Sequence, residues 1–297
     1  MNPGPSAAGT ALGIDIGGTK IAAALVHADG STGPLHRVPT PAREGPAAVL
    51  RAAADLGRRV IGDGAVLGCG VGTAGAVDPH GRVWHATDSL PGWTGTDVRA
   101  ALAEALGVTV LVRNDVHAMA VAEAAWGAAA GAGTALVVAV GTGIGGAIVA
   151  DGSLLTGRLG LAGSIGHLPA TASLGRRCGC GGLDHVEAYA AGPAIAADHA
   201  RRAGLDTAPR LPDVPGDSPA IAFAAEILGH GLAAAANLLD PDAIVLGGGV
   251  LGLGEPFRAA VLDALRAAAL PGIAGVPVRS PALGPAAVLA GAAHPLL

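Results

Sequence analysis

The chain has 297 residues, 51% of them hydrophobic and 14% charged, a balance that suits a packed globular core and argues against disorder. A net charge of −5, with basic residues never adjacent beyond a pair such as Arg58-Arg59, speaks against a nucleic-acid groove. Three cysteines make no disulfide framework, and the opening MNPGPSAAGT lacks the basic-then-apolar pattern of a signal peptide. Residues 1–10 therefore read as a disordered leader, and the cytoplasm is the default location.

The length favours two lobes over one. Aromatic residues make up only 2%, so the core must be aliphatic and rich in alanine. Ala11–Gly30 reads as strand, tight glycine turn, strand, and a second turn at Asp29-Gly30. Ala47–Val60 has helical composition, and Ala65–Gly72 reads as a buried strand. A helix should then end at Gly107, a strand at Val112, and a further helix should follow from Val116. From Ala124 to Ala150 no residue is charged, long enough to span a membrane. The glycines between Gly127 and Gly146 would cripple such a helix, and TALVVAV and GAIVA read instead as two buried strands. Two long helical segments follow the cysteines, the first interrupted at Gly192-Pro193. Ala243–Val250 is a strand into a glycine turn, and a last long helix starts at Pro256. Alternating strands and helices predict an α/β fold. A composition shift near Val112–Asp115 marks a lobe boundary, and no repeat of 20–50 residues is visible.

Two segments match the spacing of a dinucleotide fingerprint, Gly70–Gly75 and Gly141–Gly146. Neither opens a helix at its third glycine, so both fail the context that chemistry requires, and no P-loop is present. What remains is phosphate binding by glycine turns between strands. In DIGGTK, Asp15 lies inside an apolar strand, where its charge is costly unless compensated, and magnesium would compensate it. Gly17, Gly18 and Thr19 then offer N–H and hydroxyl donors to phosphate oxygens. An ordinary hairpin with a polar turn fits the same six residues. Gly141, Thr142 and Gly143 offer similar donors from a second strand pair, and Gly247, Gly248 and Gly249 close a third strand.

Taken in this order, GIDIGGTKIAAAL, VGTGIGGAIV and IVLGGGV resemble the two phosphate motifs and the adenosine-side motif of the ROK family (repressors, open reading frames and kinases). The likeness runs from about Gly13 to about Ala292. It implies an actin-like ATPase (ribonuclease H-like) fold of two lobes, with the active-site cleft between them. The expected lobes are 11–114 plus 283–297, and 115–282 carrying the cysteine segment. It further implies a hexose 6-kinase that uses ATP with Mg2+, contacts phosphate through Asp15 to Lys20, and assembles as a homodimer or homotetramer. No nucleic-acid or membrane partner is expected. ROK repressors carry an N-terminal helix-turn-helix domain, for which the dozen residues before the first strand are too few. A non-catalytic sugar sensor is the alternative from another class.

Asn114-Asp115 stands at a strand-to-helix junction, where either residue can cap the helix. The family match instead makes Asp115 the general base for the sugar 6-hydroxyl and Asn114 a ligand of ring hydroxyls. Gly72–Trp93 is similar to the family's loop beside the sugar, which brings in Gly75 and Asp88. The family's asparagine is absent there, and Asp88 equally suits a solvated turn. SIGH, Ser164–His167, followed by CGCGGLDHVE, Cys178–Glu187, is similar to the family's E-x-G-H element and its C-x-C-G-x-x-G-C-x-E segment. The match implies a structural Zn2+ held by His167, Cys178, Cys180 and His185, with His185 in place of a cysteine. Two nitrogens and two thiolates remain a tetrahedral zinc set. Glu187 matches a carboxylate on the anomeric side of the sugar, although Asp184-x-x-Glu187 also has the spacing of a capping box. Ser164 replaces a glutamate that accepts bonds from ring hydroxyls. Family members acting on N-acetylmannosamine also depart there, so a 2-acetamido or amino sugar stands beside glucose as the expected substrate.

Overall fold

The computed structural model describes residues 9–86 and 90–297. They divide into two units, one holding the residues up to Ala130, Thr156–Ala162 and Ala282–Leu297, the other Gly131–Leu155 and Gly163–Pro281.

The first unit starts with a hairpin of β1 (Thr10–Ile16) and β2 (Lys20–His27), whose register pairs Ile16 with Ile21 beside the turn. β3 (His36–Pro39) extends this hairpin antiparallel. Next, α1 (Pro46–Ile61) has proline in its first turn and buries Val49, Ala53 and Leu56, a spacing that gives it one sheet-facing side. β4 (Cys69–Thr73) is followed by a small hairpin of β5 (Ala76–Val77) and β6 (Val83–His85). α2 (Val98–Leu106) starts where the Asp97 side chain accepts from the Ala100 N–H and stops at Gly107 in a left-handed conformation. β7 (Val110–Asn114) leads directly into α3 (Asp115–Trp126). The sheet order is β3-β2-β1-β4-β7, with β4 parallel to β1 and to β7. Its core is aliphatic around Leu12, Ile14, Ile16, Leu56 and Leu102, joined by Cys69 and by Trp93, which is buried and donates its indole N–H to Thr73 Oγ1 at 3.0 Å.

The second unit repeats that arrangement. Its strands are β8 (Thr134–Val140), β9 (Ile144–Ala150), β10 (Ser153–Leu155), β11 (Ala243–Gly247) and β12 (Val278–Arg279). They lie in the order β10-β9-β8-β11-β12, the first pairs antiparallel and the last two parallel. Its helices are α4 (Glu187–Ala190), α5 (Gly192–Ala203), α6 (Pro219–Leu239) and α7 (Glu255–Ala268). Extended backbone at Ala191 separates α4 from α5, the interruption expected at Gly192-Pro193. α6 is long and apolar enough to cross a membrane by length and composition, but 61% of that window is buried in this unit's core. Finally α8 (Ala287–Ala293) packs with α3, β1 and β4 of the first unit.

The ribonuclease H-like expectation is therefore met twice, once in each unit. The uncharged stretch from Ala124 to Ala150 forms the end of α3 and the β8–β9 hairpin. Several expected boundaries shift. Thr10, read as leader, is the first residue of β1, and the strand expected from Ala65 begins only at Cys69. β7 continues two residues past Val112, so Asn114 closes the strand. Helix α3, assigned from sequence to the second lobe, belongs with the first unit because α8 returns to cover it. Thr156–Ala162 also joins the first unit, where the Trp84 indole N–H donates to the Leu159 carbonyl at 2.8 Å.

Candidate functional site

In the first unit the sequence-predicted residues gather at the ends of β1, β4 and β7. The β1–β2 turn is closed by the Gly17 N–H donating to the Lys20 carbonyl at 3.1 Å. Thr40, which sequence reasoning missed, fixes the turn from outside it. Its hydroxyl donates to the Gly17 carbonyl at 2.7 Å, and its N–H to the Thr19 carbonyl at 3.1 Å. Gly18 sits at the tip, and Thr19 and Lys20 are exposed.

Asn114 resolves the cap question: its Oδ1 accepts from the N–H groups of Val116 and His117, at 2.9 and 3.1 Å. Its amide then donates to the Gly75 carbonyl at 3.0 Å and to Asp115 Oδ1 at 2.9 Å. Asp115 Oδ1 also accepts from the Val116 N–H at 2.8 Å. One asparagine thus caps α3, holds the loop after β4, and orients the neighbouring carboxylate. Burial raises the Asp115 carboxyl above the usual carboxylate range, and the two donors on Oδ1 oppose that rise. Asp88 lies outside the described residues.

Burial, and secondarily the charge of Asp115, push Asp15 from 3.8 up to about 7, with Lys20 pulling against both. A carboxylate held this way suits a cation partner. The folded protein keeps the Asp15 proton across the interval from 3.8 to about 7, while the unfolded chain gives it up near 3.8. The stability this contributes is full below that interval and is lost as pH rises through it. Without nucleotide or divalent cation, Asp15→Asn should therefore melt several degrees above the wild type at pH 8 and close to it at pH 4, on a scale of ~2 °C per kcal/mol. A gap that does not grow with pH would contradict this.

In the second unit the Gly141–Gly143 turn is closed by the Gly141 N–H donating to the Gly143 carbonyl at 2.8 Å. The Gly192 N–H, at the start of α5, donates to the Gly141 carbonyl at 2.8 Å. The Gly247–Gly249 turn lies against the neighbouring residue Val140, since an added Cβ at Gly248 would stand 2.3 Å from the Val140 carbonyl oxygen. Two of the three glycine turns are thereby brought side by side.

The cysteine segment forms a clip. Residues 176–184 fold back on themselves, the Cys178 N–H donating to the Gly182 carbonyl at 2.9 Å, and Pro169 pairs with His185. His167, Cys178, Cys180 and His185 each offer one donor atom, and these atoms all lie within 4.8 Å of one another. Cys178 Sγ is 3.5 Å from His167 Nδ1, and Cys180 Sγ is 3.2 Å from His185 Nδ1. A tetrahedral zinc centre separates its nitrogen and sulfur ligands by about 3.5 Å, so the set fits the ion. Burial first, then the Cys180 side chain and the Glu187 carboxylate, push the Cys178 thiol up to about 12, against the lowering effect of the Cys180 backbone N–H. A bound cation reverses that preference and favours the thiolate.

The capping-box alternative fails on both of its residues. The Asp184 carboxylate accepts from the N–H groups of Gly175 and Arg176, at 3.1 and 2.8 Å, and so folds the clip. Glu187 accepts from the Ile144 N–H at 2.8 Å through Oε2, and Cys178 Sγ lies 3.4 Å from its Oε1. Gly143 makes room for this side chain: an added Cβ would stand 2.6 Å from Glu187 Oε2. Ser164 precedes the single turn Ile165–His167, and its carbonyl accepts the His167 N–H at 3.0 Å.

The family model described as ROK matches residues 11–294. A glucokinase of Halalkalibacterium halodurans is 32% identical over 92% of this chain and 90% of its own length. An N-acetylmannosamine kinase of Escherichia fergusonii is 36% identical over 85% of this chain and 87% of its own. Among solved structures, a ROK family glucokinase from Streptomyces griseus in complex with glucose and AMPPNP superposes with a TM-score of 0.82 at 29% identity, covering 96% of this chain and 98% of that one.

Proposed function

Since this chain belongs to the ROK family, and its fold is the two-lobed actin-like ATPase fold, we propose that it is an ATP-dependent hexose 6-kinase with Asp115 as general base. One observation carries this reading: Asp115 is a part-buried carboxylate whose Oδ1 is fixed by the Asn114 amide and the Val116 N–H at the start of α3. A raised carboxyl pKa favours proton acceptance, and two fixed donors orient the group.

In the proposed reaction the sugar 6-hydroxyl oxygen bonds to the γ-phosphorus as the bond to the β-bridging oxygen breaks, and the hydroxyl proton passes to Asp115. Asn114 is assigned to ring hydroxyls, for which its amide would exchange one of its bonds to Gly75 and Asp115, with Asp88 assigned to the same loop. His167, Glu187 and Ser164 complete the assigned sugar contacts. Phosphate oxygens are assigned to the donors of Gly17, Gly18, Thr19, Lys20 and the Gly141–Gly143 turn, and the adenosine side to Gly247–Gly249. Mg2+, when bound near Asp15, supplies neutralisation of phosphate charge. His167, Cys178, Cys180 and His185 would hold Zn2+, which would stiffen the clip and set the tautomer of His167. A cytoplasmic location and assembly as a homodimer or homotetramer belong to the same reading.

Ser164 favours a second reading of the substrate, an N-acetylmannosamine or other 2-acetamido or amino-hexose. A serine is shorter than the family glutamate and leaves room, while the lost charged hydrogen bond is worth about 1.5–3 kcal/mol, a factor of about 10 to 100. The test is sugar-dependent ADP release across glucose, mannose, N-acetylglucosamine, N-acetylmannosamine and glucosamine, with wild type and Ser164→Glu. The variant should shift kcat/KM towards glucose by at least about tenfold. An unchanged preference would remove Ser164 as the specificity determinant. Saturable sugar binding without turnover would identify a sensor rather than a kinase.

A further inference from the structure

Ile144, the residue directly after the Gly141–Gly143 turn, is held from two sides. Its N–H donates to Glu187 Oε2 at 2.8 Å. Its carbonyl oxygen lies against Gly166, where an added Cβ would stand only 2.1 Å away. Glu187 lies two residues after His185, and Gly166 immediately precedes His167. Both contacts on Ile144 are therefore set by backbone tied to the four-donor cluster.

We infer that Glu187 and the Gly166 turn clamp Ile144, so that the donor cluster fixes the position of the nucleotide-phosphate turn. This makes Glu187 a positioning residue for ATP, beyond its assigned contact with sugar. The inference rests on the proposed kinase reading for the word nucleotide, but the clamp itself is a statement about this unit alone. Two contacts are needed because the turn has no side chain of its own at Gly141 or Gly143 with which to pack. A carboxylate accepting from the backbone restrains its entry into β9 while leaving the remaining N–H donors of the turn unobstructed. Glutamine keeps a carbonyl acceptor at this place, whereas alanine removes it.

The experiment compares wild type, Glu187→Ala and Glu187→Gln by amide exchange over residues 141–146 and by AMPPNP titration without sugar. Glu187→Ala should speed exchange there by about tenfold and weaken AMPPNP by a similar factor, with Glu187→Gln within about threefold of wild type. Stripping the metal with a chelator should speed the same amides. Weakened sugar binding with unchanged exchange and unchanged AMPPNP affinity would overturn the clamp and leave Glu187 a sugar ligand alone. Unchanged exchange after chelation would overturn the part assigned to the cluster. If wild type fails to bind AMPPNP at all, the kinase reading falls, while exchange at 141–146 still decides the clamp.

Discussion

Asp115→Asn is expected to leave the fold intact and to lower turnover by about 10²- to 10⁴-fold, the usual worth of a positioned general base. The fold should survive because Asn114, rather than Asp115, caps α3 through the Val116 and His117 N–H groups. The substituted amide keeps an oxygen for the Val116 N–H and removes a charge from a part-buried position whose charge acts on Asp15. Thermal stability should therefore be equal to or above that of the wild type. Sugar KM should change far less than kcat, because a base acts on the proton in flight and not on the bound ground state. Full turnover in this variant would end the assignment of Asp115, whatever its effect on stability.

The second large effect concerns the cluster. Cys178→Ala is expected to abolish bound metal and to lower the melting temperature by more than about 5 °C, since binding energy at such a site is folding energy. His185→Cys restores the residue type of the family segment and should keep one zinc per chain, because nitrogen and thiolate are both competent tetrahedral ligands. Metal analysis of protein purified without added zinc, paired with thermal melts, reads both variants. The site would be refuted if wild type carried no zinc and a chelator left its melting unmoved. The clip carries its own support in the Asp184 bonds to Gly175 and Arg176, so loss of metal should loosen the segment without unfolding the unit.

Much of this was legible in sequence for local reasons. The glycine turns stand between short apolar runs, so the β1–β2 and β8–β9 hairpins declare themselves by residue type alone. The four donors of the cluster lie within 19 positions of one another, which lets a family register pick them out. What stayed hidden depends on distance along the chain. Thr40 holds a turn 23 residues away, and nothing in its local sequence marks it. Two sheets of identical strand order carry no visible repeat, since a fold needs only the burial pattern and not the residues to recur. Asp184-x-x-Glu187 misleads for a related reason: the spacing fits a cap, but tertiary donors at Arg176 and Ile144 claim both carboxylates. Helix α3 follows the strand whose last residue, Asn114, caps it, and only the return of α8 at the end of the chain assigns it to the first unit.

Lys20 opens β2 with its side chain exposed, and it is the sole lysine of the chain. Amine-directed chemistry thus has one ε-amino target per polypeptide besides the terminal amine. Coupling to an activated ester surface would tether the protein by the turn assigned to phosphate, so immobilised assays should attach through another group. The same uniqueness makes a single acylation, counted by intact mass with and without nucleotide, a direct footprint of that turn.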